Sequence, residues 1–410
     1  MVGRIAPQPG GHSRAWATVG EDGQLELDRV ELVWVDLPFV TPVETAVGTH
    51  RTRPLVLVHL VCRRSDGAVV EGWGECAALV DTTYDREDAT GTFATLRSEL
   101  LPALVGATRD GGSLPPVSGL GAILDTASRP LASATVEMAV GDAHLRAAGR
   151  SLADLLGVSD RRVEPGAVLG LPRSVEELSA AIATLTAAGY ARVKVKVAPG
   201  CEAIIDEAVR PTVGSLPMLQ IDANGTYGDD AASRLHRLDD LGLACIEQPL
   251  GCDDFDGHRR LAAALVTPLC LDESLDSPSS VVEAVGSGAC SVVCVKPARL
   301  GGIGAALDVI TWCTDAGVLW WVGGMFESGY ARGVNTALAA LPGRSLPGDL
   351  APPATYLVAD VVQAVPGEVD GTTGRLSLPV PTGPGLGPAP DPELFRAFES
   401  HRVVVWPGDH

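Results

Sequence analysis

Short apolar, β-branched runs alternate with alanine-rich stretches through residues 163–358, the pattern of strands feeding helices. It predicts strands at 166–171, 192–197, 217–222, 244–247, 268–272, 291–296 and 318–323, with an obscure eighth at 356–358. Helical faces fill the gaps. The one over 174–188 opens with Ser174 and Glu177 at capping-box spacing, and 302–316 and 331–341 are the last clear ones. Upstream, strand-like runs at 32–37, 54–62 and 68–75, separated by turn residues, predict a three-stranded antiparallel meander. Helices are predicted at 86–106 and 131–156, the second with Val136, Ala139, Val140 and Ala143 on one face. The expected fold is α/β: a modified (β/α)8 barrel over 161–358 with an α+β capping domain over 28–160. Residues 1–27 show no periodicity and are expected to form a loose N-terminal arm. The Gly, Ser and Pro-rich stretch 106–130 reads as a surface loop around a short helix. Residues 39–53, with Gly48, His50 and Arg51 between two strong strand runs, read as a long hairpin loop.

Composition narrows the function. The 410 residues carry 31 basic and 51 acidic side chains, a net charge of −20, which argues against nucleic acid or an anionic membrane as partner. A small anionic substrate would have to be drawn in by local positive charge, against the field of the whole chain. Nine cysteines form no Cys-x-x-Cys pair, and Cys245, Cys270 and Cys294 lie inside apolar strands. They read as buried free thiols of a reducing compartment. With no leader-like apolar segment and no apolar span of about 18 residues, a cytoplasmic location is expected.

The chemistry is carried by charges at strand ends. From Lys196 to Asp222, Glu247, Asp272 and Lys296 the steps are 26, 25, 25 and 24 residues. A barrel needs roughly 250 residues for eight strand–helix units, so the charge recurs about once per unit, at the mouth where barrel enzymes work. A single Asp or Asn after a strand is commonly a turn or cap residue. Five charges at one spacing are not explained that way. Lys194 shares a strand face with Lys196. Three converging carboxylates repel unless a hard cation lies between them, and all-oxygen ligation suits Mg²⁺ or Mn²⁺. A lysine facing that cation in a closed site can have its pKa lowered and act as a base. The cation would stabilise an enediolate formed when the lysine removes a proton α to a carboxylate.

The set Lys-x-Lys, Asp, Glu, Asp, Lys resembles the enolase superfamily, in its muconate-lactonizing-enzyme-like subgroup. The segment Val-Gly-Gly-Met-Phe-Glu-Ser-Gly at 322–329 resembles one found in the o-succinylbenzoate synthase and N-acylamino acid racemase family. That resemblance implies Lys196 and Lys296 as the acid/base pair and Asp222, Glu247 and Asp272 as metal ligands. Lys194, Asn224, Glu273 and Glu327 would support them. It also implies that 39–53 is a lid and that 359–410 returns to the capping domain, with Pro384-Gly-Leu-Gly-Pro as closing motif. A small carboxylate substrate and a homo-oligomer are expected. Two spots depart from the family pattern: strand one ends Ala-Val-Leu-Gly-Leu without a polar group, and Ala351–Ala354 lacks hydroxyl side chains. The first expected activity is the dehydration that forms o-succinylbenzoate in menaquinone synthesis. Racemisation of N-acylamino acids, N-succinylamino acids among them, is the alternative or a second activity of the same site. A Schiff-base aldolase would need one lysine but not three acids, and a carboxylate-binding relic without turnover would need neither lysine. No histidine occurs between His258 and His401, which disfavours a histidine base on the last strands. Strand 318–323 lacks the Asp-x-Asp expected of a dipeptide epimerase.

Overall fold

The computed structural model describes residues 10–45, 48–212, 214 and 217–406. Three long strands come first, β1 (Leu25–Thr45), β2 (Gly48–Arg64) and β3 (Val69–Cys76). Period-two alternation puts Leu25, Leu27, Val30, Leu32, Val56, Val58 and Leu60 on one face, where they pack with the helices Leu101–Gly111 and Pro130–Ala147. The chain then passes β4 (Arg162–Val163), which pairs with the tail, and enters the barrel at β5 (Gly166–Leu169). It continues through β6 (Arg192–Lys196), β7 (Met218–Asp222), β8 (Ile246–Glu247), β9 (Leu269–Leu271), β10 (Val292–Val295) and β11 (Leu319–Val322). The tail adds β12 (Glu368–Val369), β13 (Leu376–Pro379) and β14 (Glu399–Trp406). β5 to β11 form one parallel sheet in sequence order, whereas β14-β1-β2-β3 form the antiparallel sheet of the cap. The expected α/β barrel under an antiparallel cap is the fold observed, and the tail does return to the cap through β14.

Barrel closure differs from the expectation. The segment that bridges β11 back to β5 is 345–349, not 356–358. Ser345 and Asp349 donate backbone hydrogen bonds to Trp320 and Val322 at 2.9 and 3.1 Å, and Gly166 donates to Gly348 at 2.7 Å. Residues 356–358 instead clamp the cap: Val40 donates to Tyr356 at 2.9 Å and Val358 to Pro38 at 2.9 Å. An apolar run at a chain reversal reads alike for either partner. The stretch at 39–53, read as a long hairpin loop, is paired as a hairpin, with pairing resumed at Val43 and His50 after a register slip beyond Pro38; residues 46 and 47 lie outside the described residues.

The loose arm is the other difference. Residues 1–9 lie outside the described residues, but Gly11–Ala17 is a helix and β1 already begins at Leu25. One residue anchors it: Trp16, 1% exposed, donates its indole N–H to Glu137 at 2.7 Å and packs where any side chain at Gly141 would collide with its ring. Glu137, from the cap helix, also accepts from the backbone of Ile303 at 2.6 Å and Gly304 at 3.1 Å, at the N-terminus of the barrel helix Ile303–Ala316. A carboxylate there meets free N–H groups and the positive helix end. Arm, cap and barrel thus meet on one side chain. Trp16→Ala should cost about 3–5 kcal/mol, as for other buried aromatic truncations, and appear as a lower urea midpoint. An unchanged midpoint would show that the arm contributes nothing to stability.

Candidate active site

On β6 the Val-Lys-Val-Lys alternation turns Val193 and Val195 outward into the apolar cluster beneath the helices. Lys194 and Lys196 turn the other way, toward the barrel axis. In register, Lys196 stands beside Asp222 and Asp222 beside Glu247, on successive parallel strands. Asp222, Glu247 and Asp272 are each no more than 2% exposed. Lys196 Nζ lies 2.7 Å from Asp222 Oδ2 and 2.5 Å from Asn224 Oδ1. Lys194 Nζ lies 3.0 Å from Glu247 Oε2 and 3.2 Å from Asp222 Oδ2. Lys296 Nζ lies 2.7 Å from Asp272 Oδ2. Asn224 also donates to Glu273 at 2.7 Å. The structure therefore gathers eight of the nine residues read from the sequence. The ninth, Glu327, pairs with Arg332 at 2.8 Å and Asn335 at 3.0 Å, and lines a pocket that it shares with Lys296 and Glu75.

The backbone is forced into shape where these strands end. Asn224, Gln248 and Phe326 have φ of 43°, 38° and 56°, conformations that cost about 1–3 kcal/mol each and concentrate at functional sites. Gln248 uses its strained position to tie two strand ends together: its amide donates to Ser274 at 2.8 Å and its carbonyl oxygen accepts from the backbone of Asp272 at 3.0 Å.

Several participants were not read from the sequence. Asp349, on the closing segment, accepts from Lys194 at 2.6 Å and pairs with Arg192. Gln220 donates to Glu247 at 2.5 Å, and Arg192 stacks over Trp321 with its guanidinium 4.6 Å from the ring centre. Arg299, buried, joins Asp272 to Asp85 of the cap, the latter at 2.7 Å. On the same cap loop Tyr84 presents its ring to Lys196 at 5.9 Å. His50 of the hairpin meets Asp81 at 3.0 Å, so hairpin and cap loop are joined.

The neighbouring acids set the electrostatics of the lysines. Burial works against the ammonium groups, but carboxylates outweigh it: Asp349, Glu247 and Asp222 hold Lys194 well above the ordinary lysine value, and Asp222 raises Lys196. Burial likewise opposes the charge of Lys296, and Asp272 prevails there. The acids outweigh the opposing charges of Arg192, Lys194 and Arg299 and hold the ammonium groups protonated; a dication among those acids would lower the lysines. Burial, then the neighbouring Asp222, pushes Glu247 well above the carboxylate range. Burial opposes the charge of Asp272 too, yet Arg299 and Lys296 hold that group far below its usual value.

These residues fit a divalent cation. With every group ionised, six acids (Asp85, Asp222, Glu247, Asp272, Glu273, Asp349) face five bases (Arg192, Lys194, Lys196, Lys296, Arg299), one negative charge in excess before any anionic substrate enters. A substrate carboxylate would add another, and burying unpaired charge costs several kcal/mol per ion. A dication offsets both. Carboxylate oxygens are the donors that hard cations take. Among the described residues, Glu247, Asp272 and Cys294 place ligand atoms within 4.8 Å of one another.

A barrel ringed with acids and lysines at the carboxyl ends of its strands, beneath a cap built from both chain ends, defines a class. Residues 177–394 match the family described as enolase C-terminal domain-like, and residues 29–157 match the mandelate racemase / muconate lactonizing enzyme N-terminal domain. The chain is a member of the enolase superfamily, with the domain arrangement of mandelate racemase and muconate lactonizing enzyme. It is 38% identical over 381 residues to an N-succinylamino acid racemase from an Amycolatopsis species, covering 93% of this chain and 100% of that one. It is 31% identical over 374 residues to the o-succinylbenzoate synthase of Bacillus subtilis, covering 91% and 97%. An enolase-superfamily protein of Listeria innocua superposes with a TM-score of 0.82 at 30% identity, over 93% of this chain and 100% of that one. The chain is thus similar to enzymes of both names, a lyase and an isomerase.

Proposed function

We propose that this enzyme removes the proton α to a carboxylate, with Lys196 and Lys296 as the two acid/base groups and Asp222, Glu247 and Asp272 as ligands of Mg²⁺. The observation that carries the reading is the placement of the lysines. β6 and β10 are four strands apart in the sheet order, so the two ammonium groups approach the axis from opposite walls. A substrate lying between them presents one face of its α-carbon to each. When bound, Mg²⁺ supplies positive charge beside the enediolate oxygens, which is the largest single contribution such sites make. The rest falls to the chain. Lys196 or Lys296 takes the proton, its neighbour Asp222 or Asp272 orients the ammonium, and Asn224 and Glu273 hold Lys196 in place. Lys194, locked between Glu247 and Asp349, keeps positive charge near the acids instead of moving protons. The hairpin and the loop carrying Tyr84 cover the mouth, and water exclusion strengthens every charge interaction within.

Within this class we favour racemisation of N-succinylamino acids, because the relatives carrying that name are 38% and 36% identical. Dehydration to o-succinylbenzoate is the second reading, supported by relatives at 31–34% identity, and the same two lysines serve it. The test assays purified protein with both substrates, with Mg²⁺ or Mn²⁺ and after EDTA. Turnover of at least one substrate that is lost with EDTA and restored by Mg²⁺ is expected. Full activity after EDTA treatment would overturn the proposal.

A further inference from the structure

Cys294 stands on β10 two residues before Lys296, so both side chains leave the chain on the same side, toward the acids. Its sulfur and the carboxylates of Glu247 and Asp272 form the cluster within 4.8 Å, and all three residues are buried. The room is made by Gly323. A Cβ at that position would stand 2.6 Å from the Cys294 sulfur and 2.9 Å from Lys296 Cε. On a tetrahedral zinc-like ion with bonds of about 2.0–2.3 Å, ligand atoms stand about 3.3–3.8 Å apart. Closing the cluster on an ion therefore draws its ligand atoms together by up to about 1.5 Å. Asp222 is not part of that cluster, and its Oδ2 bonds Lys196 and Lys194.

We propose that Glu247, Asp272 and Cys294 form a site for a thiophilic divalent ion, Zn²⁺ or Cd²⁺, overlapping the Mg²⁺ position but displaced from Asp222. The inference rests on the proposed metal site and adds a ligand to it. Binding exchanges the thiol proton for a metal–sulfur bond: the proton leaves to solvent, and no electron is transferred. Lys194, Lys296 and Arg299 oppose any dication equally, so they do not discriminate between ions. Sulfur does, since thiolate selects zinc-like ions and carboxylate serves magnesium. Three protein donors with an open fourth position match the donor count of open zinc sites, not closed structural ones. An ion so held leaves Asp222 to the lysines, and it should compete with Mg²⁺ and block turnover.

The experiment titrates metal-free, full-length protein with Cd²⁺ and follows the ultraviolet thiolate-to-cadmium charge-transfer band. One band-forming Cd²⁺ per chain is expected, reversed by excess Mg²⁺, lost in Cys294→Ser and kept in Cys252→Ser, which removes an exposed thiol. A band that survives Cys294→Ser, disappears in Cys252→Ser or ignores Mg²⁺ overturns the proposal. Should Cys294→Ser misfold, ¹¹³Cd resonance of the wild-type protein reads the donors directly. One sulfur among oxygens supports the site, and oxygen-only or multiple-sulfur ligation refutes it. Activity that proves independent of Mg²⁺ would remove the proposed function while leaving this spectroscopic result to stand or fall alone.

Discussion

Lys196→Ala and Lys296→Ala should each reduce racemisation by at least about 10²–10⁴-fold, the usual contribution of a positioned acid or base. Each variant should nonetheless exchange the α-proton of one enantiomer with D₂O, and the two should choose opposite enantiomers. The reason is geometric: one lysine reaches the α-carbon from β6, the other from the facing wall at β10. Proton removal from one side survives when delivery to the other is lost. Proton NMR of each pure enantiomer in D₂O measures this directly. Dehydration should fall in both variants, in Lys196→Ala because the base is gone and in Lys296→Ala because positive charge beside the enediolate is gone. A variant that exchanges both enantiomers at the wild-type rate would disprove the two-base arrangement.

Glu247→Gln should reduce turnover by about 10²–10³-fold or more, the scale on which lost transition-state electrostatics are felt. In metal-free protein the same change should leave thermal stability equal or higher. Burial and Asp222 raise the acid in the folded state. As pH rises past the ordinary carboxylate value the unfolded chain gives up this proton first, so the native state loses stability up to the raised folded value. Glutamine removes that penalty and keeps the shape of the side chain. Calorimetry with EDTA at pH 5 and pH 8 should show the wild type losing more stability than the variant between the two. Activity is thus held at a cost in stability, as strained sites commonly are. A variant markedly less stable than wild type at pH 8 would show instead that the Lys194–Glu247 pair dominates.

The 25-residue rhythm of strand-end charges was enough to read the barrel and most of its mouth, because each charge ends a run too apolar for a surface loop. The same rhythm continues past Lys296, through Val322 and on to Asp349, yet Ser-Leu-Pro-Gly-Asp has too little apolar content to register as a strand. That is why the closing segment and the acid that holds Lys194 were missed. Arg299 follows Lys296 by three residues, and nothing local distinguishes a buried bridge to Asp85 from a solvated charge. Trp16 lay in a polar stretch whose order depends on Glu137, 121 residues away. The lysine electrostatics could not be read at all from the sequence, since they depend on which charges face Nζ at 2.6–3.2 Å.

The cap sheet has a consequence for biosynthesis. β1 is flanked by β2 on one side and by β14 on the other, with Val30 to Val35 facing Trp406 to Glu399 and Glu31 paired with Arg402 at 2.7 Å. Between the end of β3 at Cys76 and the start of β14 at Glu399 lie 323 positions of numbering, which at about 5–20 residues per second take about 16–65 s to translate. For that interval the nascent chain carries an open strand edge of sequence Val-Glu-Leu-Val-Trp-Val, the kind of template that pairs with other chains. A message truncated before residue 399 leaves that edge open and should yield an aggregating product however complete its barrel.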